Sequence, residues 1–250
     1  MCEAQDRVAE LDDLDEQTFV RFCEYAYTGN YTSAHHTILL DSSIVDNETF
    51  PEGSLSEATL IEDRGLTKKD KKKGKTSGLV FGFGTQWACE FCGNTMEVSS
   101  QKQTLWDEFK RKYNASPPYT YVRKNFEKCE DYTDVFLCHA RVYVFAEKYD
   151  IAELRKLALC KLKQILQDFH VYDERIEDIV SLIRYSYNND NTRDNEPGED
   201  IDTLRRLVIH YVVCLYETIA KDDGFLVLVE EGGPFARDLV NMSLRRIAWN

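Results

Sequence analysis

DVFLCHARVYVFAEKYDIAELRKLALCKLKQIL, Asp134 to Leu166, is the stretch that decides how this chain is read. Val135, Leu137, Val142, Phe145, Ala146 and Tyr149 recur at spacings of three to four, the period of a helix with one apolar face. Lys148-Tyr149-Asp150 interrupts that period, and Asp150 is a residue type that caps the free N–H groups of a following helix. Ile151, Leu154, Leu157, Ala158, Lys161, Leu162 and Ile165 then restore the period, with Lys and Arg on the outer side. Two amphipathic helices with a tight joint are expected. Tyr149 is placed in the core, where truncation to Ala is expected to cost about 3–5 kcal/mol. No residue here reads as a nucleophile or a complete metal site, so the stretch points to packing and interaction rather than chemistry.

Within it, HARVYVFAEKYDIAELRKLAL, His139 to Leu159, resembles the last helical hairpin of the BTB/POZ fold in the form common among filamentous fungi. The pattern HAxVYxxAxKYDIxxL is much richer than a generic helix repeat. A second piece, LDDLDEQTFVRFCEYAYTGNY, Leu11 to Tyr31, resembles the strand end and helix that precede the hairpin in that family. Together the two pieces cover roughly a quarter of the chain. The resemblance implies a mainly α fold with a remnant of sheet, in which BTB/POZ-like parts at 1–32 and 131–167 flank a mostly disordered insertion at 33–130. A C-terminal helical extension at 168–250 completes it. The resemblance also implies that the N-terminal half of the BTB domain, with the family's usual dimer surface, does not precede Met1.

Composition narrows the classes of function. The chain has 250 residues, 43% hydrophobic and 30% charged, and a net charge of −13. That balance argues against nucleic acid and against an anionic membrane as partners of the whole surface, because both require a basic footprint. The eight Cys are scattered and five lie in or beside apolar helix patterns, where Cys acts as a small hydrophobe. With no signal peptide and no membrane-length apolar run, an intracellular location, cytoplasmic or nuclear, is expected.

In the N-terminal piece, Asp12, Asp13 and Asp15 precede Phe19, Phe22, Tyr25 and Ala26, and Gly29 supplies a stop. Acids favour a helix N-terminus and Gly a C-terminus. The aromatics are read as core. From Thr32 to Lys102 the periodicity is lost and Ser, Thr, Gly, Asp and Lys rise, the composition of a disordered insertion. KKDKKKGK, Lys68 to Lys75, is either a solvated linker or a nuclear import signal. Gly74-Lys75-Thr76 is not a phosphate loop, because the first Gly of that motif falls on Lys69.

Cys89 and Cys92, in CEFCG, are the metal candidates: two thiolates at this spacing grip zinc from one side. Two more ligands are needed and no second CxxC follows; Cys129, His35 and His36 reach the pair only by long loop closure. The plain alternative is two free thiols, with Trp87 and Phe91 in local apolar contact. Leu105-Trp106-Asp107-Glu108-Phe109 returns to a helical period, so Trp106 and Phe109 dock either onto the chain itself or into a partner's groove.

After the hairpin, Tyr172–Asn188, Ile201–Lys221 and Phe235–Trp249 read as helices, with an apolar run at Phe225–Val229 and a break at Gly232-Gly233-Pro234. His139, His170 and His210 read as satisfied core or boundary residues. No nucleophile–base–acid set can be assembled, so no enzyme activity and no cofactor are expected. The resemblance implies a non-catalytic protein-interaction module that recruits substrates to a cullin-type ubiquitin ligase or pairs with other BTB proteins. Met1-Cys2-Glu3 falls where cullin-binding relatives carry an apolar–x–Glu motif, which makes Glu3 a contact candidate. Self-association is left open because the family's dimer residues are missing. The alternative is a regulatory protein whose insertion binds zinc through Cys89 and Cys92 and contacts nucleic acid or import factors.

Overall fold

A computed structural model describes residues 14–39, 98–112, 123–194 and 200–247. In chain order these form α1 (Glu16–Thr28), β1 (Thr37–Ile38), α2 (Val98–Arg111), β2 (Glu130–Asp131), α3 (Thr133–Lys148) and α4 (Ala152–Asp168). A 3-10 turn (Asp173–Arg175) leads into α5 (Ile176–Tyr187), followed by α6 (Thr203–Cys214), α7 (Tyr216–Ile219), α8 (Asp223–Glu230) and α9 (Gly233–Ile247). The chain is mainly α, and the described sheet is one antiparallel pair with Thr37 opposite Asp131 and Ile38 opposite Glu130.

The hairpin forms as its period demands. Among the described residues α3 and α4 make the most extensive contact, and Val142, Ala146, Leu154, Ala158 and Leu162 on these two helices are all fully or almost fully buried. Two details of the joint differ from expectation. Asp150 does not cap α4: it takes a left-handed backbone conformation at φ 53°, one that Asp tolerates better than most residues. The Ile151 N–H thereby returns to the Ala146 carbonyl at 2.8 Å, and α4 begins with no side-chain cap. Tyr149, just past the end of α3, is 43% exposed and lies on Phe145 with ring centroids 4.6 Å apart, so it is no core residue. The period counts positions on a helix, and here the helix has already ended.

α1 is punctuated as the sequence predicts. Asp15 accepts from the Thr18 N–H at 3.0 Å, and Gly29 closes the helix at φ 72° with its N–H on the Tyr25 carbonyl at 2.7 Å. Its aromatics are only partly in the core. Phe22 and Tyr25 pack against the hairpin, but Phe19 is 40% exposed.

The deepest element is α6, in which Leu207 through Cys214 are all buried. A helix that is apolar on every side is stable only when enclosed, and α2, α4, α5 and α9 enclose it. Asp202 starts it, accepting from the Leu204 N–H at 2.8 Å and the Tyr143 hydroxyl at 3.0 Å, which ties α6 to α3. Arg205 is fully buried; it donates to the Thr192 hydroxyl at 2.7 Å and carbonyl at 2.8 Å, and lies over the Tyr187 ring. The single helix expected over Ile201–Lys221 is divided at Leu215. Its N–H is shared between the Tyr211 and Val212 carbonyls, and the chain swings to bury Ile219 and expose Tyr216.

The expected insertion at 33–130 is not uniform. β1, α2 and the segment from Arg123 to Glu130 lie within it and are placed in the structure. α2 packs on α6 and α9 because Leu105 and Phe109, one turn apart, supply enough apolar surface to hold a helix in place. Residues 40–97 and 113–122 lie outside the described residues.

Candidate functional site

The candidate surface lies on α1. At 100° per residue, the side of α1 that carries Thr18, Phe22 and Tyr25 turns toward α3, and Gln17, Arg21 and Glu24 face the segment after Gly29. Arg21 donates to the Thr32 carbonyl at 3.2 Å, and Glu24 accepts from the Thr32 N–H at 2.7 Å and its hydroxyl at 2.5 Å. What remains outward is Phe19, Val20, Cys23, Ala26 and Tyr27. Val20 is 51% exposed and Tyr27 90% exposed. The patch continues as a row of rings: Phe19 lies 6.1 Å from Phe22, Phe22 lies 4.9 Å from Phe145, and Phe145 lies 4.6 Å from Tyr149. An apolar helix face running into an aromatic row is the kind of surface that marks interaction sites.

Beside it opens a cleft of about 590 Å³, lined by Glu24, Tyr31, Ser33, His36, Arg123 and Tyr132 among others. Its floor rests on a buried polar cluster. His139 is 0% exposed; its Nδ1 lies 2.7 Å from the Tyr31 hydroxyl and its Nε2 lies 3.1 Å from the Ser33 hydroxyl. Burial, with the nearby Lys161 charge, pushes the His139 pKa down to about 3, so the ring is neutral at physiological pH. Neutral His carries a proton on one nitrogen only, so His139 donates to one of these two hydroxyls and accepts from the other. His139 therefore links α3 to the segment after α1. Lys161, 1% exposed, donates to the Tyr31 carbonyl and lies 4.3 Å from the Tyr31 ring centre; desolvation lowers its pKa. On the opposite wall Arg123 bonds Glu130 at 2.6 Å and the Tyr132 hydroxyl at 3.2 Å, and His36 stacks on Tyr132. The Arg123 bond holds the Glu130 carboxyl below its ordinary pKa. These polar groups hold one another and fix the segments 31–36 and 123–132 against α3 and α4.

The sequence candidates fall in different places. Glu3, Cys89 and Cys92 lie outside the described residues, as does Lys68–Lys75. Phe109 is 0% exposed, edge-on to His210 and beside Tyr211, so its ring belongs to this chain's own core and offers no surface to a partner. Trp106, half-buried, stacks on Phe109 with centroids 5.3 Å apart. Docking onto the chain itself is thus the outcome for this helix. β1–β2 pairing brings His36 within 3.9 Å of Glu130, but its register sets Leu39, not His35 or His36, against Cys129. Among the described residues, however, no group of three or more His, Cys, Asp or Glu is arranged to hold a metal ion. No described helix is long and apolar enough to cross a membrane.

The sequence period places the α1 aromatics in the core, whereas the structure leaves Phe19, Val20 and Tyr27 open to water. The signal was present: apolar residues occupy positions 19, 20, 22, 23, 25, 26 and 27, more than one face of a helix can bury. Lys161 was legible as a charge on an apolar period, but its partner, a backbone carbonyl far away in sequence, was not. Comparison with known proteins finds no family model, no curated protein and no solved structure that matches this chain.

Proposed function

We propose that this chain is a non-catalytic protein-interaction module of BTB/POZ type, acting as a substrate adaptor for a cullin-type ubiquitin ligase or pairing with other BTB proteins. The support is twofold: the HAxVYxxAxKYDIxxL hairpin, and beside it the solvent-facing apolar side of α1. The second is the observation that carries the reading. Val20 and Tyr27 hold large apolar groups in water at a fixed geometry, a state that a binding partner relieves.

The test mixes the purified full chain with a purified cullin N-terminal domain and, separately, with a purified full-length BTB protein, and measures binding by calorimetry. A complex with one of them, weakened at least tenfold in a Val20→Glu/Tyr27→Glu double variant that keeps its helical circular dichroism, is the expected result. Binding to neither, or binding that the double variant leaves unchanged, overturns the reading.

A further inference from the structure

The start of α3 is held by carboxylates from two different elements. Tyr132, at its boundary, supplies no side-chain cap. Instead Asp131, the last residue of β2, accepts from the Thr133 N–H at 2.8 Å, and Asp178, in the first turn of α5, accepts from the Tyr132 N–H at 2.9 Å. One guanidinium lies near both acids. Arg175, which ends the 3-10 turn, places Nη1 3.8 Å from Asp178 Oδ1 and 3.9 Å from Asp131 Oδ2. Both separations are too long for a hydrogen bond. Nη1 is buried and has no hydrogen-bond partner among the described residues. A buried charged donor left unbonded is costly, and a shift of about 1 Å toward either acid would bond it.

The other charged groups around α5 are engaged elsewhere. Glu177 turns to α8, where its Oε2 lies 3.0 Å, and Asp222 Oδ1 3.1 Å, from the point that a Cβ on Gly224 would take. On α6, Arg205 is held by Thr192 and His210 by the Leu105 carbonyl. Asp134, in the first turn of α3, is exposed. Asp178 is faced by Asp131 and Arg175, with the Tyr132 N–H and the Thr133 hydroxyl. Its side chain is 2% exposed and that of Asp131 25%, so Asp178 is the acid that loses more by ionising.

The geometry points to a proton-operated latch at this joint: a proton on Asp178 leaves Arg175 to Asp131 and keeps β2 closed on α3 and α5, while its loss draws Arg175 onto Asp178 and releases β2. β2 belongs to the segment 123–132, which walls the cleft beside α1 through Arg123 and Tyr132. The latch sets how firmly that wall stands, whatever partner the α1 face takes. Desolvation first, and Asp131 next, raise the Asp178 pKa to about 6. Opening returns the carboxyl to its ordinary 3.8, so linkage makes opening about tenfold more frequent at pH 7.5 than at pH 5.

The experiment follows the full chain by NMR from pH 4 to pH 8. The Asp178 carboxyl carbon and the Arg175 side-chain N–H resonances are expected to shift with one shared midpoint near 6. Leu39, whose N–H bonds the Cys129 carbonyl, and Tyr132 are expected to lose amide protection about tenfold between pH 5 and 7.5, after correction for intrinsic exchange. Both exchange faster than Val208 and Val212 in α6 throughout. In Asp178→Asn, which keeps an acceptor for the Tyr132 N–H and cannot ionise, the tenfold change disappears. An Asp178 midpoint below about 4.5, an Arg175 signal that does not move with it, or Leu39 and Tyr132 amides that exchange together with α6 overturns the latch. Those readouts come from the unaltered chain, so they decide the matter even where the variant does not fold. The same pH dependence in a folded Asp178→Asn chain overturns it as well.

Discussion

Phe109→Ala tests whether α2 belongs to the core or merely lies within an insertion. The ring is fully buried, with Trp106 stacked at 5.3 Å, His210 edge-on at 5.5 Å and Tyr211 at 5.7 Å. Deleting a buried Phe ring costs about 3–5 kcal/mol, the sum of lost transfer energy and a cavity that the surroundings fill only in part. The helix cannot escape that cost by detaching. Leu105 is 4% exposed, its carbonyl accepts from His210 Nε2 at 3.0 Å, and Lys163, buried in α4, donates to the Lys110 carbonyl. Undocking α2 would take the acceptor from His210 Nε2, at about 1–3 kcal/mol, break the Lys163 bond and expose Leu105 as well. The expected result is a loss of about 3–5 kcal/mol in urea unfolding and a fall in Tm on the order of 10 °C, with faster amide exchange in both α2 and α6. A loss under about 1 kcal/mol with α6 exchange unchanged would refute the packing of α2 on α6.

Three further outcomes follow from the same structure. Tyr149→Ala, at a half-exposed ring, changes stability by less than about 1 kcal/mol in the same urea assay, against the 3–5 that its place in the sequence period suggests; a cost above about 2 would return Tyr149 to the core. Asp178, buried and accepting from the Tyr132 N–H at 2.9 Å, has its pKa raised to about 6, first by desolvation and then by Asp131. The folded state therefore holds this proton more tightly than the unfolded chain does. The stabilisation is fully present below about pH 4 and is lost as pH rises through about 6, a change of at most about 3 kcal/mol. In Asp178→Asn that component of the pH dependence disappears from unfolding curves taken between pH 4 and 7.5; identical slopes for the two proteins would exclude the assignment. Gly29→Ala costs about 1 kcal/mol and Gly29→Asn less, because the position is left-handed while no atom stands within 4 Å of the added Cβ; equal stability of the Ala and Gly proteins would contradict the observed φ.

The helical class, the hairpin, the Asp15 and Gly29 boundaries of α1 and the helical period of α2 were all written in the sequence. Each depends on residues within a few positions of one another: an apolar repeat of three to four, a carboxylate three residues before the N–H it accepts from, a residue without a Cβ where φ is positive. Local geometry fixes such features before any distant part of the chain arrives. Tertiary structure alone decided which helix is enclosed and which face is left in water. α6 and α1 are both rich in apolar residues, yet α6 is buried from Leu207 to Cys214 while α1 shows Val20 and Tyr27 to solvent, because four helices surround the first and α3 covers only one side of the second. The same holds for the buried charges. Lys161 and Arg205 persist inside because a carbonyl at Tyr31 and a loop at Thr192 reach them, and chain folding, not sequence spacing, supplies those acceptors. Burial is a property of what packs around a residue, so a single sequence period can nominate a face but cannot say whether anything covers it.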